Sequence, residues 1–95
     1  LLHGQLGISD YHNSLKLGYD VHRLCYPAWM EALGILPLLP RVVAPGTPIA
    51  PIQPAIAAQF CLPADCLVCA GTTDSIAAFL ASGASSPGEA VTSLG

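Results

Sequence analysis

Asp74 is the only charged side chain between Asp65 and Glu89. It stands where an apolar run, residues 66–70, passes through Gly71, Thr72 and Thr73 into a second apolar stretch. Ligands of α/β proteins gather beyond the carboxyl ends of strands, and a helix N-terminus there presents free backbone donors with a positive partial charge. On local sequence alone, Asp74 reads first as an N-cap that accepts hydrogen bonds from amides of the first helical turn. The same carboxylate can accept a hydrogen bond from a substrate hydroxyl, orient it and take its proton.

Three further groups of residues carry chemistry in principle. Cys61, Cys66 and Cys69 have the C-x4-C-x2-C spacing of a plant-type [2Fe-2S] centre. That centre needs a fourth cysteine downstream, and none follows Cys69. The three histidines lie far upstream, which argues against a zinc site as well. The expectation is no metal and reduced, buried thiols. Pro45, Pro48, Pro51 and Pro54 recur at every third position, the period of polyproline II. Such a ladder docks SH3 or WW domains or serves as a stiff connection. Arg41 is the only nearby cation and does not fit the basic-plus-PxxP pattern, which favours the connection. Asp10, His12 and Asn13 form a polar cluster that lines a cleft or serves turn and cap, and no catalytic role is assigned to it.

The elements that position these residues follow from pattern. Residues 1–13 are punctuated by Gly and polar groups and read as loop and a short turn. Trp29, Met30 and Leu33 lie three and four apart ahead of Gly34, which predicts a short helix over 28–33 with its apolar face on a sheet. Residues 55–60 form a weaker helical stretch, and 62–65 a turn. The continuous apolar run 66–70 predicts a strand buried on both faces. Asp74 then opens a helix with Ile76, Phe79 and Leu80 on one stripe and Gly83 as its stop. Pro87-Gly88 is a turn, and residues 90–94 read as another strand. Strands alternating with helices indicate an α/β architecture.

Residues 68–95, VCAGTTDSIAAFLASGASSPGEAVTSLG, resemble the segment of the FGGY carbohydrate kinases in which a buried strand, a Gly-rich turn and an aspartate lead into an Ala-rich helix. The upstream stretches ISDYHNSLKLGYD, YPAWMEALGI and LPRVVAPGTPI follow in that family's order, the last as a hairpin-like segment, so the resemblance covers essentially the whole chain. GTTDS is closest to the pentulose kinase-like branch, with D-ribulose as the sugar implied by likeness. The resemblance implies a fragment of the actin and hexokinase-like (ribonuclease H-like) ATPase fold. Residues 1–83 would be the end of the first kinase domain and 84–95 the start of the second. It implies transfer of phosphate from ATP with Mg2+ to a sugar hydroxyl, in the cytoplasm, and a part that is inactive without the rest of the kinase chain. Asp74 matches the aspartate that takes the proton of the attacking hydroxyl. Ser75 matches a position that often contacts substrate, and equally reads as a solvent-facing residue of a first helical turn. Residues 92–95 resemble the opening of a phosphate-binding hairpin, which makes Gly95 a nucleotide contact, or else a glycine ending a strand.

Composition bounds these readings. Hydrophobic residues make up 53% of the 95 and charged ones 9%, against roughly 25% charged in ordinary soluble domains. That is too little charge to cover a free surface, so the chain reads as part of something larger. A net charge of −3 without a basic stripe argues against nucleic acid. Residues 42–64 carry no charge but hold five prolines, which excludes a membrane helix there. No signal peptide is expected. From another class, the competing reading is a non-catalytic interaction module built on the PxxP segment.

Overall fold

Three-residue strands have no side-chain period of their own, and partners are what define them here. The computed structural model describes residues 1–94. Ile8–Asp10 (β1) pairs in parallel with Arg41–Val43 (β2), Ile8 opposite Arg41 and Asp10 opposite Val43. A parallel pair requires a crossover. Residues 11–40 supply it, with helices α1 (Tyr11–Leu15) and α2 (Ala28–Ala32) and a 3-10 turn at Leu36–Leu38. Residues 1–13, expected as loop and turn, thus contain a strand and the start of a helix. The chain is mixed α/β.

Within the crossover, Tyr19 is buried between two other tyrosines. It stacks on Tyr11 at 6.2 Å between centroids and meets Tyr26 edge-on at 5.0 Å, both favourable ring geometries. Tyr26 anchors the cluster by donating its hydroxyl to the Pro40 carbonyl at 2.9 Å. Gly18, at φ +84°, lets the chain turn beside Met30; a Cβ there would lie 2.5 Å from the Met30 Cε. Met30 is the buried residue of α2, whereas Trp29 and Leu33, expected to pack with it, are exposed. Five residues of helix are too short to turn three apolar groups onto one surface.

The second half is built in the same way. Pro48–Pro51 (β3) pairs antiparallel with Leu67–Cys69 (β4), with an irregularity at Ile49, and α3 (Pro54–Gln59) connects them. Proline is tolerated on an edge strand and beside a bulge, so the proline ladder is in part a strand and not a free polyproline II rod. Between β2 and β3, Thr47 N donates to Ala44 O at 3.1 Å across Pro45 and Gly46, the latter at φ +80°. Proline followed by a positive-φ glycine is the pattern of a type II turn. The turn does not make a hairpin, because β2 pairs with β1 and β3 with β4. Ile52 and Ala57 form the small core under α3. Gln53 ties the N-terminal residues to it, donating from its backbone amide to Leu2 O at 2.8 Å and from Nε2 to Leu1 O at 2.6 Å.

Helix α4 (Asp74–Ala81) follows β4 and ends at Ser82 with Gly83 at φ +76°. It has no buried residue, and Leu67 and Cys69 of β4 are exposed. The expected burial on both faces of that strand fails because a two-stranded ladder has nothing to cover them. Residues 84–94 form a turn, Glu89 N to Ser86 O at 3.2 Å, but no strand is present at 90–94 among the described residues. The Cα radius of gyration is 16.6 Å, against about 12 Å for a compact chain of this length. The accessible surface is 6911 Å², where a compact monomer of this mass exposes about 5,200 Å². Both values reflect apolar faces of α2, β4 and α4 that no other element covers. No helix among the described residues is long and apolar enough to cross a membrane.

Candidate functional site

The site grows from the end of β4. Backbone bonds hold the strand's exit, Ala70 N to Thr47 O and Gly46 N to Ala70 O, each at 2.8 Å. Beyond Ala70 the chain leaves the ladder through Gly71 and Thr72. Thr73 is in an extended conformation, and its hydroxyl accepts from Ile76 N at 3.4 Å. Thr73, and not Asp74, is therefore the N-cap of α4. Threonine fits this role because its short hydroxyl reaches back to the amide three residues on.

Asp74 becomes the first residue of the helix proper, exposed to solvent. Its Oδ1 accepts from Ser75 N at 2.8 Å and from the Ser75 hydroxyl at 3.3 Å. Both bonds fall on one oxygen, and Oδ2 has no protein donor among the described residues. The carboxylate is held on one side and available on the other. Ser75 spends its proton on Asp74 and keeps its lone pairs as acceptors.

An open groove of about 290 Å³ runs past Asp74, lined by Asp74, Ser75, Ala78 and Ser93. It continues along α4 into a second depression of about 230 Å³ between Ser75, Ala78 and Phe79 on the helix and Val91, Thr92 and Ser93 on the C-terminal stretch. Asp74 and Ser75 thus share one groove with Thr92 and Ser93. Gly95 lies outside the described residues.

Behind the turn is a second element of the site. Asp10 ends β1 and caps α1, its Oδ1 accepting from His12 N at 3.0 Å and Asn13 N at 3.1 Å and its Oδ2 from Asn13 Nδ2 at 2.6 Å. Burial works to raise its carboxyl, but the hydrogen bonds from Asn13 and His12 outweigh it and hold the group below the usual carboxylate range. This cap sets His12 on the first turn of α1. His12 Nδ1 meets Thr72 Oγ1 at 2.6 Å. Beside this contact, Ile8, Ser9 and Asp10 of β1 and Ile49, Cys69, Ala70 and Gly71 of the second half line a cavity of about 170 Å³ together with His3. The Asp10, His12 and Asn13 cluster is thus capping, as one of its two readings had it. Its link to Thr72 was not legible, since nothing local in the sequence pairs residues 60 apart.

The cysteines differ from expectation. All four are free thiols, but Cys25, Cys61 and Cys69 are exposed and Cys66 is half-buried. Cys66 and Cys69 belong to or flank β4, which lacks a covering layer, while Cys61 follows α3 at its C-terminal turn and Cys25 lies in the crossover. Among the described residues, no group of three or more His, Cys, Asp or Glu side chains is arranged to hold a metal ion.

No family model matches the chain.

Proposed function

We propose that this chain is a part of an ATP-dependent carbohydrate kinase of the FGGY type, built on the actin and hexokinase-like fold, with a sugar hydroxyl as acceptor and a pentulose such as D-ribulose as the sugar class. The observation that carries the reading is the position of Asp74. It lies beyond the carboxyl end of β4, with one oxygen held by Ser75 and the other without a protein donor, on a groove whose far wall is Thr92 and Ser93.

In-line phosphoryl transfer asks a protein for positioning and charge neutralisation more than for covalent chemistry. Asp74 Oδ2 accepts the hydrogen bond of the sugar hydroxyl, aligns its oxygen and takes the proton as the new bond to the γ-phosphorus forms and the bond from that phosphorus to the bridging oxygen breaks, releasing ADP. Ser75 holds the carboxylate by its amide and hydroxyl, and its remaining lone pairs meet a second sugar hydroxyl. Thr92 and Ser93 present small side chains and backbone amides where phosphate oxygens approach. Gly95, which follows in sequence, is the nucleotide contact in this reading. No basic side chain lines the groove among the described residues, so the phosphate charge falls to amides and to Mg2+. The one carboxylate of the groove is committed to Ser75 and the sugar hydroxyl, so Mg2+ would be held by phosphate oxygens and water beside the Ser and Thr hydroxyls. Bound there, the ion would neutralise charge on the phosphates.

The fold supports the reading in its coarse form, mixed α/β with the aspartate at a strand-to-helix junction. The uncovered faces of α2, β4 and α4 are where the remainder of a larger kinase chain would pack, in the cytoplasm. The alternative, an interaction module using the PxxP segment, is weakened because residues 48–51 are engaged in the ladder with β4. The test is ADP release by the full-length protein across pentuloses, hexuloses and polyols, beside Asp74→Ala. Sugar-dependent ADP release that falls at least about a hundredfold in the variant is the expected result. Unchanged turnover in Asp74→Ala removes this aspartate from the chemistry.

A further inference from the structure

We infer that His12 is a positioning residue for Asp74, acting through Thr72; the inference rests on the kinase reading above. The halves 3–43 and 46–83 have separate ladders, with no strand hydrogen bond between them. Apart from the ties of Gln53 to Leu1 and Leu2, the hydrogen bond that joins early and late residues across this gap, among those described, is His12 Nδ1 to Thr72 Oγ1 at 2.6 Å.

The bond falls on the segment that needs it most. Ala70 is held by Thr47, and Thr73 O accepts from Ala77 N in the first turn of α4. Between them, Gly71 and Thr72 make no other hydrogen bond among the described residues. Gly71 has no Cβ to restrict it, and a Cβ built there meets nothing within 4 Å. Without His12, the two residues that set where Thr73 and Asp74 begin the helix would be restrained only by their ends.

His12 is well suited to hold them. Its amide is fixed by Asp10, which is 5% exposed and gripped in turn by Asn13. Helix α1 packs on β1 and β2, so the imidazole is mounted on the first ladder. The bond survives either protonation state of the ring: a bare Nδ1 accepts the Thr72 hydroxyl proton, and a protonated Nδ1 donates to Thr72 Oγ1. His12 is a strut that fixes the distance between α1 and the turn carrying the base.

The experiment uses the full-length protein and compares wild type, His12→Ala, Thr72→Val, the double variant, and His12→Asn, whose amide can stand where Nδ1 stands. Amide hydrogen exchange over residues 70–76, turnover at saturating sugar and ATP, and the melting temperature are read for each. Exchange over 70–76 should rise about tenfold in His12→Ala and Thr72→Val. The kcat should fall about tenfold or more with KM for ATP unchanged, since displacement of a reacting group by about 1 Å costs rates of this order. The double variant should be no slower than the worse single one, and His12→Asn should recover part of the loss. Unchanged exchange in both single variants overturns the strut, as do additive losses in the double variant, or a loss of kcat that tracks a fall in melting temperature. If Asp74→Ala turns over normally while the exchange changes appear, it is the kinase reading that fails, and the positioning role in catalysis falls with it.

Discussion

Asn13 grips Asp10 with both of its donors, the backbone amide to Oδ1 at 3.1 Å and the side-chain amide to Oδ2 at 2.6 Å. With His12 N on Oδ1 as well, one buried carboxylate ends a strand, starts a helix and fixes the residue that reaches Thr72. Asp10→Ala should cost about 1–2 kcal/mol, the upper part of the range for a lost N-cap, measured by denaturant unfolding.

The same carboxylate makes a pH prediction. Its folded pKa is lowered, so its contribution to stability is fully present above the unfolded value of about 3.9 and is lost as pH falls through the folded value. Unfolding midpoints followed from neutral pH down to about pH 2 should drop below pH 4. In Asp10→Asn that part of the drop should be missing. An equal acid dependence in the two proteins would show that Asp10 contributes nothing to it.

Cys61 offers a stabilising change. It occupies the C′ position after α3 at φ +53°, with Cys61 N donating to Ala58 O at 3.4 Å and Leu62 N to Ala57 O at 2.9 Å. This is the Schellman arrangement, in which the left-handed residue is normally glycine. Cys61→Gly removes a clash between Cβ and backbone at the cost of more freedom in the unfolded chain, a net gain of about 0.5–1 kcal/mol. Thermal unfolding should move up by a few degrees.

Gly18→Ala should act in the opposite sense. The residue is left-handed at φ +84°, and the added Cβ would meet the Met30 Cε at 2.5 Å. Met30 can swing its terminal methyl aside, so most of the loss of about 1–2 kcal/mol comes from the backbone. Near-ultraviolet dichroism of the neighbouring Tyr11, Tyr19 and Tyr26 cluster reports whether the repacking spreads.

Thr73 and Asp74 separate stability from chemistry. Thr73→Ala removes the cap of α4 and should cost about 0.5–1 kcal/mol, the low end because the bond is long at 3.4 Å. Asp74→Asn leaves that cap in place and should leave the melting temperature unchanged while abolishing sugar-dependent ADP release. Equal stability losses in the two variants would return the capping role to Asp74.

Elements with local signals were legible in the sequence. Gly83 marked the end of α4, Gly34 the end of α2, and the apolar run 66–70 the strand β4. What was not legible depends on partners distant in the chain. Ile8–Asp10 is a strand because Arg41–Val43 lies beside it, and three residues carry no period that announces this. The prolines at 48 and 51 have a backbone angle that suits polyproline II and strand alike, so the partner Leu67–Cys69 decides. In the site, the charge of Asp74 made it visible, but the cap went to Thr73 because a threonine hydroxyl one residue earlier reaches Ile76 N. The His12 to Thr72 contact had no signature, since neither residue is unusual in its own neighbourhood.

Cys69 ends β4, is exposed, and lines the cavity next to Gly71 and Asp10. A native thiol at that place is a point of attachment for an environment-sensitive fluorophore five residues before Asp74. With Cys25, Cys61 and Cys66 replaced by serine, emission from the single label would report opening between the two halves in real time.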